Sequence, residues 1–257
     1  MAKQTYTILW TPEGKEASPI DPWGEPGAYT SVLVDGDPPR PLFLPRHLDR
    51  LEESARLLGL VSPLSRGFVE EKVYEAVSHL EGGTMLRVAI VPQGLSLATY
   101  PQSGKNAGLV GILETVGRHK PEAKSLQDIP LHQKVKVLDR NKEELLLVDD
   151  EGYLLEGSTT NLLFVRGKEV LTPESDCLPG ITRQVLRERI PMPPWQWCPA
   201  RIHTGQISEF EEILLCGSGK EVARLVGIES LDWKPDGDLA FQELARIFSE
   251  AKEDPEA

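Results

Sequence analysis

Apolar residues recur along this chain with two different periods, and the changes of period mark where strands and helices fall. Continuous or alternating apolar runs place short strands at residues 5–10, 29–34, 42–44, 85–91, 95–100 and 109–115. The turn Asp35-Gly36-Asp37-Pro38-Pro39 between the second and third of these reads as a hairpin. Spacings of three and four instead set Leu48, Leu51, Ala55 and Leu58 on one face of a helix that Gly59 can end. Phe68, Val69, Val73 and Val77 form the stripe of a second helix over 65–80. Residues 11–27, rich in Pro and Gly, read as loop.

The polar stretch 116–130, with Pro121 and Pro130, separates two halves. Beyond it, Leu131, Val135 and Leu138 predict a helix within 131–143, and short strands follow at 145–148, 154–155, 162–165 and 169–171. A helix is expected over 182–189. A strand over 213–216 runs into Gly217-Ser218-Gly219 and then a short helix or turn, and residues 250–257 read as a frayed end. The expected fold class is α+β. It comprises a smaller N-terminal α+β domain over 1–117, a linker over 118–125 and a larger β-rich C-terminal domain over 126–257.

Composition narrows the classes of function. Hydrophobic residues make up 40% of the 257 and charged residues 26%, enough apolar sequence for real cores. The net charge of −12, with no Lys/Arg run to offset it, argues against nucleic-acid backbones as partners. No stretch approaches the ~20 apolar residues that span a bilayer, so no membrane partner is expected. The start of the chain lacks the charged and apolar regions of a secretion signal. Three cysteines without a CxxC pair fit free thiols in a reducing cytoplasm, and five scattered histidines give a metal site no support.

The stretch 145–183 carries the oddest residues. Glu156 and Asn161 stand inside apolar strands, where a carboxylate must be paired or solvated. The corner Leu178-Pro179-Gly180-Ile181-Thr182-Arg183 opens a helix, whose free N–H groups and Thr182 hydroxyl suit an anion. A helix cap with no ligand is the other reading of that Thr. Gly217-Ser218-Gly219-Lys220 is not a nucleotide-binding P-loop, because Leu214 stands where the first Gly belongs and Glu221 follows the Lys.

The stretch resembles the signature of the fold-type IV pyridoxal-phosphate (PLP) enzymes: an acidic residue, small residues, Asn, an apolar strand, Thr-Pro, then Leu-Pro-Gly-Ile-Thr-Arg. This group includes branched-chain aminotransferases, D-amino-acid aminotransferases and aminodeoxychorismate lyases. His47-Leu48-Asp49-Arg50-Leu51 is similar to the family's helix whose Arg grips the cofactor phosphate. Residues 217–222 are similar to the loop that meets phosphate and substrate carboxylate. The resemblance therefore implies a D-amino-acid-aminotransferase-like fold, PLP as cofactor, an amino-acid-like substrate and a homodimer. It implies Glu156 as the acid that keeps the pyridine nitrogen protonated and Arg50 as the phosphate clamp. Thr159, Thr160, Ile181, Thr182 and Ser218 are placed around the cofactor in the same way. The family's lysine lies a little over thirty residues before the Glu. Lys124, 32 residues before, fits that place better than Lys134 or Lys136. Its implied work is to carry the cofactor and move the α-proton.

Within the family, the first-domain strands supply most substrate contacts. Arg87 lacks the preceding aromatic of the branched-chain enzymes. Gln127-Asp128-Ile129-Pro130 lacks the tyrosine that commonly follows the lysine in aminotransferases. Ser31, with Thr30 beside it, aligns with the hydroxyl residue of the lyases. The resemblance thus implies a 4-amino-4-deoxychorismate lyase. Lys124 would remove the α-proton, and Ser31 or Thr30 would assist departure of pyruvate to leave 4-aminobenzoate. Arg87, Ser31, Ser218 and Gly219 are its expected substrate contacts. A branched-chain or D-amino-acid aminotransferase is the alternative, and a catalytically silent binding protein of the same fold is the alternative of another class.

Overall fold

The computed structural model describes residues 7–105 and 108–254. The chain forms two compact units. One is built from the residues up to Gln102 together with Glu122–Ile129, and the other from Ser103–Pro121 and Pro130 onward.

Among the described residues, the first unit contains β1 (Thr7–Trp10), β2 (Glu16–Ala17), β3 (Ala28–Asp35), β4 (Arg40–Pro41), α1 (Leu44–Leu57), α2 (Arg66–Val77), β5 (Thr84–Val91) and β6 (Gly94–Pro101). The strands pair antiparallel in the order β2-β1-β6-β5-β3-β4. Trp10, Val32, Val34, Leu86, Val88, Leu95 and Leu97 of the sheet pack with Leu44, Leu48, Leu51, Val69 and Val73 of the two helices. Gly59 ends the first helix as expected. It adopts φ +71°, and the next N–H, of Leu60, reaches back to the Ala55 carbonyl at 2.8 Å. Ser65 caps α2 by accepting from the Phe68 N–H at 3.3 Å.

The hairpin differs from expectation. Its second strand is only Arg40–Pro41, and Leu44, expected to be strand, opens α1 instead. Phe43 turns the chain through a left-handed conformation (φ 54°), and a proline in the first turn favours the helix.

The second unit begins with β7 (Gly108–Glu114) and continues with α3 (Ile129–Lys136), whose first residue belongs to the first unit. Then come β8 (Glu143–Val148), β9 (Tyr153–Gly157), β10 (Asn161–Arg166), β11 (Glu169–Thr172), α4 (Ile181–Arg189), β12 (Gln196–Pro199), β13 (Ile202–His203), β14 (Glu212–Gly217), β15 (Glu221–Ile228) and α5 (Leu239–Lys252). Its mixed sheet runs β12-β11-β10-β14-β15-β7-β8-β9-β13. Leu146, Leu162, Phe164, Ile213, Leu215, Ala223 and Leu225 share one core, while α4 and α5 pack on each other and on β14 and β15.

Three differences from the sequence reading follow from pairing. β7, expected in the first domain, hydrogen-bonds in parallel with β15 and β8, so it belongs to the second sheet. Residues 122–129, read as linker and domain start, belong to the first unit, where Ser125 bridges Ala28. The segment after Gly219 is a full strand, β15. At the C-terminal end α5 runs to Lys252, so residues 250–252 are helical and not frayed. The predicted helix over 131–143 closes at Lys136.

Gly94 opens β6 at φ +132°, and a Cβ there would stand 1.8 Å from the Trp10 carbonyl oxygen. Gly94→Ala is therefore expected to destabilise the protein by about 2–4 kcal/mol, through backbone strain plus a clash that no rotamer relieves. Urea unfolding of the variant beside the wild-type chain measures this.

Candidate functional site

Two groups of polar side chains, one in each unit, hold the residues that the sequence singles out. In the first unit the pleat of β3 sorts them. Thr30 faces α1 and is fully buried. Tyr29 and Ser31 face the other way, and Ser31 lies directly opposite Arg87 of β5. The Arg87 guanidinium stacks over Trp23 at 5.4 Å, and Trp23 meets Tyr29 edge-on at 5.0 Å. Burial pulls the Arg87 pKa below its ordinary value, while Tyr100, Asp21 and Tyr29 oppose that shift.

On the α1 side, Arg50 Nη2 donates to Thr30 Oγ1 at 2.9 Å, and Thr30 Oγ1 lies 2.7 Å from His47 Nδ1. Arg50 can only donate, so Thr30 Oγ1 accepts from it, and the second hydrogen bond joins the hydroxyl to the His47 ring. A neutral His47 agrees with its burial, which holds its pKa well below 6.5, helped by the charges of Arg50 and Lys124. Thr30, expected beside the reacting bond, is thus committed to holding Arg50 and His47.

Lys124 is strapped by its backbone. Its N–H donates to Ser54 Oγ of α1 at 3.1 Å, and its carbonyl accepts from the Tyr29 N–H at 3.0 Å. Its neighbours Ala123 and Leu126 are fully buried, and its ammonium lies 4.8 Å from the Tyr29 ring centre. Gly27 makes the crossing possible, since a Cβ there would meet Leu126 at 2.5 Å and the Ile90 carbonyl at 2.7 Å. Lys134 and Lys136 are exposed on α3, and Lys134 pairs with Glu114 at 2.7 Å.

In the second unit the polar residues of β9 and β10, consecutive strands that are not sheet neighbours, find their reason. Glu156 is buried, with one oxygen 3.4 Å from Arg118 Nη1 and the other accepting from the Leu178 N–H at 3.2 Å. Asn161 donates to the Leu178 carbonyl at 2.9 Å. The two side chains thus grip both ends of one residue and pin the 178–182 corner to β9 and β10. Gly180 passes so close that a Cβ would stand 1.8 Å from Asn161 Oδ1. α4 then starts at Ile181 with no side chain capping it, and Ile181 and Thr182 are buried. Such a helix start presents N–H groups and a positive dipole end suited to an anion.

The turn 158–160 carries Thr159, half-buried, and Thr160, buried; both hydroxyls lie against Glu144. Ser218 and Gly219 follow β14, half-buried. A Cβ on Gly217 would meet the Thr159 carbonyl at 2.9 Å, so this loop touches the 158–160 turn.

The sequence reading missed Arg118 and Glu144, and it took up Lys220 only as part of the 217–222 loop. Arg118 sits in a polar stretch without periodicity, which offers no signal. Glu144 had one: it shares the alternation of Leu146 and Val148, which face the core. Among the described residues, no group of three or more His, Cys, Asp or Glu could hold a metal ion, and no helix is long and apolar enough to cross a membrane.

Comparison with known proteins supplies the context. The family model of Amino-transferase class IV matches residues 27–228. Branched-chain-amino-acid aminotransferase-like protein 2 of Arabidopsis thaliana is 25% identical over 217 residues, which are 72% of this chain and 38% of that protein. The chain thus spans about two fifths of that relative's length. A probable branched-chain-amino-acid aminotransferase of Rickettsia felis is 29% identical over 216 residues, 72% of each chain. Among solved structures, a branched-chain aminotransferase from Thermoproteus uzoniensis with norvaline superposes with a TM-score of 0.79 at 18% identity, covering 98% of this chain and 96% of that one. A hypothetical aminotransferase from Mycobacterium tuberculosis in its PLP-bound form gives 0.76 at 18% identity, covering 96% and 99%. Likeness at these identities establishes the fold.

Two outcomes follow from the buried groups. Arg118→Gln leaves Glu156 without its cation and is expected to cost about 3 kcal/mol of stability, part of which Glu156→Gln in the same chain restores; chemical denaturation reads both. Below pH 6.5 the unfolded chain binds a proton at His47 that the folded chain refuses, so this group removes stability as the pH falls. The loss is about 1.4 kcal/mol per pH unit at most, and His47→Asn should flatten the pH profile of the urea midpoint between pH 6.5 and 5.

Proposed function

The chain belongs to the amino-transferase class IV family, and on that premise we propose that it is a PLP-dependent aminotransferase of small amino acids, of the branched-chain type. The observation that carries the proposal is that the match over 27–228 takes in Arg50, Lys124, Glu156, Thr182 and Ser218 together. The curated relatives are named as branched-chain aminotransferases, which favours amino transfer over the lyase reaction that Ser31 suggested.

The donor set suits PLP. A phosphate is bound by cations and by N–H groups; the first unit carries Arg50, and the second the start of α4, which no side chain caps. The cofactor's pyridine nitrogen needs a carboxylate, and Glu156 is buried and held by Arg118 and the Leu178 N–H. When bound, PLP supplies a protonated ring that withdraws electrons from the substrate Cα.

The protein's own residues do the rest. Glu156 keeps the proton on the ring nitrogen. The amine of Lys124 would hold the cofactor at rest, and would then take the substrate's α-proton and return it to the carbon on the other side of the transferred nitrogen. Its strapped backbone fixes where that side chain starts. Arg50 stays charged and oriented because Thr30 and His47 hold it. Arg87 and Ser31, on one face of the first sheet, are assigned to the substrate's carboxylate. We take the active form to be a homodimer, and light scattering of the purified protein tests that.

The second reading, 4-amino-4-deoxychorismate lyase, rests on Ser31 opposite Arg87 and on Gln127-Asp128 where aminotransferases carry tyrosine. The two differ in stoichiometry. Incubation with PLP, a branched-chain amino acid and 2-oxoglutarate should yield glutamate and the branched 2-oxo acid in equal amounts. Pyruvate and 4-aminobenzoate from 4-amino-4-deoxychorismate, with no glutamate, would replace the proposal by the lyase. No product and no visible PLP band would leave a silent binding protein. Borohydride reduction should leave the pyridoxyl group on Lys124, and Lys124→Ala should lower the rate about a thousandfold.

A further inference from the structure

The loop after β14 carries two charged residues, Lys220 and Glu221, that the chain buries almost completely, at 2% and 3% exposure. Neither belongs to the residue set assigned above. Lys220 Nζ lies 3.1 Å from Glu144 Oε2 and donates to the Arg140 carbonyl at 3.0 Å. Glu144, also 2% exposed, spends its other oxygen on the 158–160 turn. That oxygen accepts from the Thr159 N–H at 2.8 Å, the Ser158 hydroxyl at 2.9 Å and, at longer range, the Thr159 and Thr160 hydroxyls. One carboxylate therefore ties two separate stretches together: the turn following Glu156 and the loop containing Ser218 and Gly219.

The other end of the loop is tied in the opposite sense. Glu221 takes a left-handed conformation (φ 56°), strained for a residue with a side chain, and its oxygens each lie 3.0 Å from a lysine, Lys105 and Lys252. A loop on the surface would need none of this. Buried ion pairs add little to stability compared with an apolar filling, but they fix one arrangement, because any other leaves a charge alone in the interior.

We infer that Glu144 and Lys220 are positioning residues for the cofactor's phosphate end: their pair locks the 158–160 turn and the 217–220 loop into a pre-formed cradle. This rests on the PLP reading above, since Thr159, Thr160 and Ser218 are cofactor contacts only if that reading holds. Neither residue touches the cofactor in this scheme. Glu144 and Lys220 act through the backbone and hydroxyls they hold. Pre-forming the cradle spares the ordering of two loops on binding, so the pair raises affinity for the phosphate-bearing cofactor.

The test compares PLP with pyridoxal, which has the same ring and aldehyde but no phosphate. Titrations of the wild-type apoprotein, Lys220→Met and the double variant Glu144→Gln/Lys220→Met are followed by absorbance, with melting curves beside them. The single variant should lose affinity for PLP about tenfold and keep its affinity for pyridoxal. The double variant, with neither charge left unpaired, should melt near the wild type yet still bind PLP weakly. Equal weakening toward both ligands, or recovery of PLP binding along with the melting temperature, would reduce the pair to general stability and overturn the inference. Hydrogen exchange on the cofactor-free chains separates the two readings. Faster exchange of residues 157–161 in Lys220→Met is expected, and unchanged exchange would overturn the coupling. A wild type that binds no PLP would remove the functional reading, and the cofactor role of the pair with it, even if the exchange coupling held.

Discussion

A carboxylate buried in a β-strand has to be satisfied, and the groups around Glu156 of β9 are arranged to meet that need. One oxygen faces Arg118 and the other takes the Leu178 N–H, while Asn161 takes the Leu178 carbonyl. Leaving either Glu156 oxygen alone would cost several kcal/mol, on the order of a large part of the protein's whole stability. The corner 178–182 is therefore held where β9 and β10 dictate, and α4 starts at Ile181 because Gly180 has no side chain to collide with Asn161. The same interactions that satisfy the acid thus produce a helix start with open N–H groups.

The first unit solves a different problem with similar means. Arg50 donates to Thr30, whose hydroxyl oxygen also lies 2.7 Å from the His47 ring nitrogen. Lys124 is anchored through its main chain to β3 and α1, which fixes where its side chain starts. Burial beside these two cations makes His47 resist protonation.

Membership of the amino-transferase class IV family and the match in fold put these two groups into a setting where amino-group chemistry is expected. The departures at Gln127-Asp128 and before Arg87 bear on the choice between the two proposed reactions. The proposed roles of Glu156 and Arg50 suit either one, because both chemistries need a protonated ring and a held phosphate. The proposed function puts specificity on the Tyr29, Ser31 and Arg87 face of the first sheet, whose residues share one side by the pleat of β3 and β5.

How much was legible in the sequence follows from range. Period and turn residues reported α1 with its Gly59 stop, the helix α2 and the short strands β9 and β10, because those signals are local. The apolar spacing of Leu244, Ile247, Phe248 and Ala251 was equally readable for α5 and was passed over. Motif order singled out Arg50, Lys124, Glu156 and Thr182 through the family resemblance, and their cofactor roles belong to the proposed function. Tertiary pairing decided the rest. The sheet to which β7 belongs depends on partners more than a hundred residues away at Leu225 and Ile228. Thr30 became a holder of Arg50 only because the pleat turned it toward α1. Arg118, Glu144 and Lys220 acquired meaning only when folding buried them beside an opposite charge, and burial is the one property a linear pattern of charges does not carry.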